Sequence, residues 1–209
     1  MIIQNTSDSI SPTWAVVIAA GTGGPQALAE LLPRIPSSFP GTIIVIQQMR
    51  QGFTRVLADM LNQTCSIPIH EPIDGQALLP GKILMTPSGT RLILCEPGGN
   101  TSVIVEDVED SPDLRHSRTD STMSSIAQGF GKNTIGVLLT GVGSDGCEGL
   151  RAIAGVGGLT IAQDEPSCVV HDLPATAIQA GVVHEVLPLW SIADKIIDVV
   201  AGGAREVAA

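Results

Sequence analysis

Three apolar runs, each breaking off in a glycine-rich or polar turn, constrain the fold of this chain more than any other feature. The first, Trp14 to Ala20, reads as a buried strand that enters Gly21-Thr22-Gly23-Gly24-Pro25. Pro25 suits the first turn of a helix continuing through Gln26 to Leu32, because its missing N–H would have no partner there. The second run, Thr42 to Ile46, ends at Gln47-Gln48-Met49, and the third, Thr134 to Thr140, ends at Gly141-Val142-Gly143-Ser144-Asp145-Gly146. In a parallel sheet all three turns lie on one edge. Backbone N–H groups and helix N-termini there favour anions and developing negative charge.

The rest of the chain fits one α/β domain over residues 14–200: a doubly wound, mainly parallel sheet with helices on both faces and an appended antiparallel hairpin region. Hydrophobic residues make up 44% of the chain, aromatics only 2%, and tyrosine is absent, so the core must be built from Val, Ile, Leu and Ala. Parallel strands covered on both faces use that composition. Phe53 to Gln63 reads as a helix and Ser66 to His70 as a short strand. From Pro80 to Val105 the chain is rich in Gly and Pro. Three short β-like runs there, Lys82 to Thr86, Arg91 to Cys95 and Ser102 to Val105, with turns such as Pro97-Gly98-Gly99-Asn100, suggest the antiparallel hairpins. Further helices are expected at Ser121 to Phe130, Cys147 to Val156, Pro174 to Ala180 and Ser191 to Val200, with strands at Leu159 to Ala162 and Val183 to Leu187. The residues before Trp14 are expected to fray, and those after Gly202 to form a small-residue tail.

A net charge of −10, with no local cluster of Lys or Arg, argues against nucleic acid and anionic lipid as partners. Glu106, Asp107, Glu109, Asp110 and Asp113, followed by Arg115, His116 and Arg118, read as a solvated loop. Cys65, Cys95, Cys147 and Cys168 are widely spaced and form no metal-ligand or disulfide pattern, so no metal and no cofactor is signalled. No apolar stretch reaches membrane-spanning length and no leader pattern opens the chain, which points to the cytoplasm.

The turn at 141–146 satisfies G-x-G-x-x-G, with Asp164 after the following strand, so a dinucleotide site is an alternative. Against it, Asp145 would set a carboxylate beside the pyrophosphate, and the unit falls late in the chain. The first turn has Gln26 where the last glycine of that fingerprint belongs. G-K-[ST] and G-x-S-x-G are both absent, which makes Ser144 a turn residue.

The three turns together resemble the catalytic domain of the chemotaxis protein-glutamate methylesterases, the CheB-type family. The resemblance covers nearly the whole chain. It extends to Gly52-Phe53, Asp74-Gly75, Pro80-Gly81, Pro87-Ser88-Gly89, the stretch Ala162 to Val170, Pro174, Ala177, Gly181 and Val186-Leu187-Pro188-Leu189. It implies a serine hydrolase acting on glutamyl methyl esters, and often on glutamines, of methyl-accepting chemotaxis receptors. The triad serine would come from the position of Gly21, the histidine from Gln48 and the aspartate from Asp145. Only Asp145 is present. Glycine carries no nucleophile, and an amide has no nitrogen that titrates near neutral pH. Val142 and Ala19 replace the family's usual methionine and glycine.

The resemblance therefore implies a pseudo-enzyme that acts by binding, its cleft formed by Thr22, Gly23, Met49, Val142 and Ser144, with backbone N–H groups of the two glycine turns as the oxyanion donors. An active hydrolase with a displaced nucleophile, Thr22 or Ser144, is an alternative. His70, His116, His171 and His184 are the only imidazoles, and His171 is the nearest to a candidate base. Asp145 has a purely structural alternative, capping the helix that starts near Cys147. Family members often carry a phospho-accepting receiver domain ahead of the catalytic one. With only about a dozen residues before the first strand, none is expected here. Oligomeric state is not legible.

Overall fold

The computed structural model describes residues 12–96, 101–108 and 117–207, with side chains up to Gly203. The N-terminal segment before Pro12, the Pro97–Asn100 turn and the charge reversal over 109–116 lie outside the described residues.

Among the described residues, ten strands and six α-helices follow in the order β1 (Ala15–Ala20), α1 (Gly24–Leu31), β2 (Thr42–Gln47), α2 (Phe53–Leu61), β3 (Ile69–His70), β4 (Gln76–Ala77), β5 (Lys82–Met85), β6 (Thr90–Cys95), β7 (Ser102–Asp107), α3 (Arg118–Phe130), β8 (Thr134–Leu138), α4 (Cys147–Gly155), β9 (Leu159–Gln163), α5 (Asp172–Gln179), β10 (Glu185–Leu187) and α6 (Leu189–Val207). Seven strands make one sheet in the order β10-β9-β8-β1-β2-β5-β3, every pairing parallel. The other three, β4-β7-β6, form a small antiparallel sheet.

β1 shows why the sheet needs cover on both sides. Val16, Ile18 and Ala20 join a core with Leu28 and Leu31 of α1, Leu57 and Leu61 of α2, and Ile192 and Ile196 of α6. Ala15, Val17 and Ala19 point the other way, into a core with Met123 and Ile126 of α3, Leu150 and Ile153 of α4, and Ala177 of α5. Period-two alternation thus divides an unbroken apolar run between two cores. Leu92 of β6 and Val103 of β7 enter the second core, so the antiparallel sheet belongs to that face.

Three expectations change. Lys82–Met85 is no hairpin strand: it inserts in parallel between β2 and β3, because Ile83 and Met85 fill one core and Leu84 the other. The hairpin is β6–β7, extended by β4. α3 begins at Arg118, ahead of the expected Ser121, because Ser117 caps it by accepting the Asp120 N–H at 2.9 Å. The helix α6 runs on to Val207 through the residues expected to form a tail.

Candidate active-site cleft at the carboxyl edge of the sheet

β8, β1 and β2 are neighbours, so the turns that follow them adjoin at the point where the strand order reverses. Backbone hydrogen bonds tie them together: Leu139 N–H donates to the Ala19 carbonyl at 2.9 Å, Gly21 N–H to Thr140 at 2.9 Å, and Gln48 N–H to Ala20 at 2.8 Å. Gly21 and Gly141 approach so closely that a Cβ on Gly141 would lie 2.3 Å from Leu173 Cδ1 and 2.8 Å from the Gly21 nitrogen. Position 141 therefore requires glycine. Gly21 does not, since it lies outside the left-handed backbone region. A Cβ there would sit 3.0 Å from Gly141 Cα, 3.2 Å from Gln48 Oε1 and 3.5 Å from the Val142 nitrogen, a tight but small misfit.

Gln48 stands between that position and Asp145. Its Nε2 donates to Asp145 Oδ2 at 3.1 Å. A carboxylate only accepts, so the amide nitrogen turns toward it and Oε1 faces Gly21. The three residues thus stand in the spatial order Gly21, Gln48, Asp145. Asp145 also accepts from Thr119 Oγ1 at 2.7 Å and from Ser117 Oγ, both at the start of α3. It does not cap α4, whose N-cap is Gly146 with no side-chain bond; three hydroxyl and amide donors already converge on its carboxylate from the other side. Burial pushes the Asp145 carboxyl above its ordinary range; the Thr119 hydrogen bond opposes that shift and the nearby Asp120 charge reinforces it.

Buried Gln47 steadies the first turn by donating from Nε2 to the Gly21 carbonyl at 2.8 Å and to the Gln48 carbonyl at 3.1 Å. The Gly21 carbonyl also accepts from Gly24 N–H at 2.9 Å. In a trans peptide the Thr22 N–H then points away from Gln47. Among the described residues the N–H groups of Thr22, Gly23 and Val142 have no protein partner. They are the donors available to a ligand oxygen.

The buried Thr140 hydroxyl joins the first and third turns to the segment after β9. It donates to the Thr22 carbonyl at 2.9 Å and accepts from Val169 N–H at 3.1 Å and Val170 N–H at 2.9 Å. Thr140 N–H in turn donates to Oε1 of fully buried Gln163 at 2.8 Å, and Gln163 Nε2 donates to the Ser167 carbonyl at 2.7 Å. The rim is apolar where Val142 and Val169 stand exposed, while Met49 packs half-buried on the first core.

Ser144 and the Thr22 side chain are exposed, and no imidazole among the described residues is hydrogen-bonded to either hydroxyl. His70 lies 2.8 Å from Gln76 Nε2, His184 bonds Thr160, and His171 Nε2 is buried without a partner; His116 lies outside the described residues. Both acids of the dinucleotide fingerprint have internal partners, since Asp164 accepts from Ser167 N–H at 3.2 Å. No group of three or more potential metal ligands occurs among the described residues, and no described helix is long and apolar enough to cross a membrane.

Gly21, Gln48 and Asp145 are neighbours in space. Thr140, Gln47, Gln163, Ser117 and Thr119 were not singled out. Only Ser117 carried a local signal, the Ser-x-x-Asp spacing to Asp120 that marks a helix start.

The same fold occurs in a known protein. The crystal structure of the Thermotoga maritima CheB methylesterase catalytic domain superposes with a TM-score of 0.84 at 34% identity, covering 89% of this chain and 98% of that one. A protein-glutamate methylesterase/protein-glutamine glutaminase of Carboxydothermus hydrogenoformans is 44% identical over 182 residues, which is 87% of this chain and 54% of that protein. A protein of the same description from Methanococcus maripaludis is 36% identical over 185 residues, 88% of this chain and 50% of its own length. The chain thus spans about half the length of these curated relatives. The family profile described as CheB methylesterase matches residues 16–196, a stretch that includes every turn of the cleft, and this chain belongs to that family.

Proposed function

We propose that this chain is a non-hydrolytic member of the chemotaxis methylesterase family that binds a glutamyl- or glutaminyl-bearing segment of a methyl-accepting receptor or a similar signalling protein. The observation that carries the reading is the line Gly21–Gln48–Asp145. Its acid is in place, its base position holds an amide bonded to that acid at 3.1 Å, and its nucleophile position has no side chain. Ester hydrolysis by this family's chemistry needs a hydroxyl to attack and an imidazole to carry the proton to the leaving methanol. Neither group stands here. What remains is a set of turns with unpaired N–H donors, suited to holding an acyl oxygen. Losing nucleophile or base in a triad costs roughly a millionfold in turnover.

The test is methanol release from methylated receptor by the native chain and by a Gly21→Ser/Gln48→His variant. The native chain should be silent and the variant should turn over, because position 21 accepts a Cβ and Asp145 stays free to orient an imidazole. Methanol release by the native chain would sink the proposal.

A further inference from the structure

The replacement of histidine by Gln48 changes the chemistry that the cleft recognises, and the geometry points to a primary carboxamide, the side chain of an unmodified glutamine, as its preferred ligand group. This inference rests on the binding role proposed above and specifies what is bound. Two unpaired groups lie beside Gly21 at the cleft. Gln48 Oε1 is 3.2 Å from the point where a Cβ would stand and the Val142 nitrogen is 3.5 Å from that same point. The first can only accept and the second only donate. Gln48 cannot exchange these roles by flipping, because its Nε2 is held by Asp145, itself fixed by Thr119 and Ser117.

A site with one donor and one acceptor sorts the three forms of a receptor side chain. A carboxamide presents a carbonyl oxygen to the Val142 N–H and an NH₂ to Gln48 Oε1. A methyl ester fills the first role but brings only another oxygen to the second. A carboxylate does the same with a full negative charge, close to Asp145, on a protein of net charge −10. An unmatched acceptor facing an acceptor costs more than a hydrogen bond that is merely absent. A histidine in the same place ranks them less sharply, since an imidazole held by Asp145 presents an acceptor when neutral but a donor once protonated, whereas an amide oxygen never donates.

The experiment titrates ¹⁵N-labelled protein with one helical model peptide made in three forms, carrying glutamine, glutamate or glutamate γ-methyl ester at the same position. The Val142 amide reports occupancy. The glutamine peptide is expected to bind about fivefold more tightly than the ester and at least about tenfold more tightly than the carboxylate. Gln48→Leu, at an exposed position, removes the acceptor and should bring the glutamine-to-ester ratio close to unity. Equal affinities, or preference for ester or carboxylate with Val142 still perturbed, overturn the carboxamide inference and leave the binding role standing. A preference for glutamine that survives Gln48→Leu also overturns it. If no peptide perturbs Val142, both fall. Release of methanol or ammonia during the titration overturns the non-hydrolytic role, while the ranking measured before turnover still decides the carboxamide inference.

Discussion

Asp145 is the residue at which the cost of the site is paid in stability. Burial raises its carboxyl above the unfolded value of 3.8, so folding binds protons more tightly than the unfolded chain does. The stability that goes with the protonated form is fully present below 3.8 and is lost as pH rises through the higher folded value. Asp145→Asn is therefore expected to melt above the native chain at pH 7, with the gap closing as pH falls below 3.8; thermal melts across pH check it. Equal melting temperatures at pH 7 would contradict that account. The grouping of Gly21, Gln48 and Asp145 at one sheet edge was legible in the sequence because each sits in a turn directly after an apolar run. Thr140 and Gln163 were not, because a hydroxyl and an amide at strand ends acquire their roles only when the segment from Asp164 to Val170 folds back over the first turn.

Among the elements, α3 closes the exposed edge of the antiparallel sheet with side-chain hydroxyls. β6 pairs with β7 on one side only. On the other, Leu92 N–H donates to Thr122 Oγ1 at 3.0 Å and Leu94 N–H to Ser125 Oγ at 2.8 Å. Two hydroxyls at i and i+3 on one helix face thus complete a strand that would otherwise offer its ladder to another chain. Thr122→Val keeps the shape and removes the acceptor, leaving a buried N–H unpaired at a cost of about 1–3 kcal/mol. Denaturant unfolding should read that loss, and hydrogen exchange should accelerate at Leu92. The parallel strands were legible from their apolar runs. The place of Lys82–Met85 was not, because alternation within four residues does not say whether one face or both will be covered.

For the whole molecule, β1 is the shared wall of the two cores, and its side chains couple them. Ile18 is fully buried against α1, α2 and α6, while its neighbour Val17 faces α3, α4 and α5. Ile18→Ala is expected to cost about 2–5 kcal/mol. Because both cores lean on the same strand, far-UV and near-UV signals should lose stability together, in one cooperative transition. Separate transitions would mean that the two faces fold independently.

The close approach of Gly21 and Gly141 has an evolutionary consequence. The backbone contact and the Leu173 packing that forbid a side chain at 141 are demands of folding, so selection for a stable chain alone would hold the three turns in register. Glycine and serine codons can differ by one base, as can those of glutamine and histidine. A lineage carrying this chain thus keeps the fold of the methylesterase family under the protection of its own stability, with serine at position 21 and histidine at position 48 each within reach of a single base change.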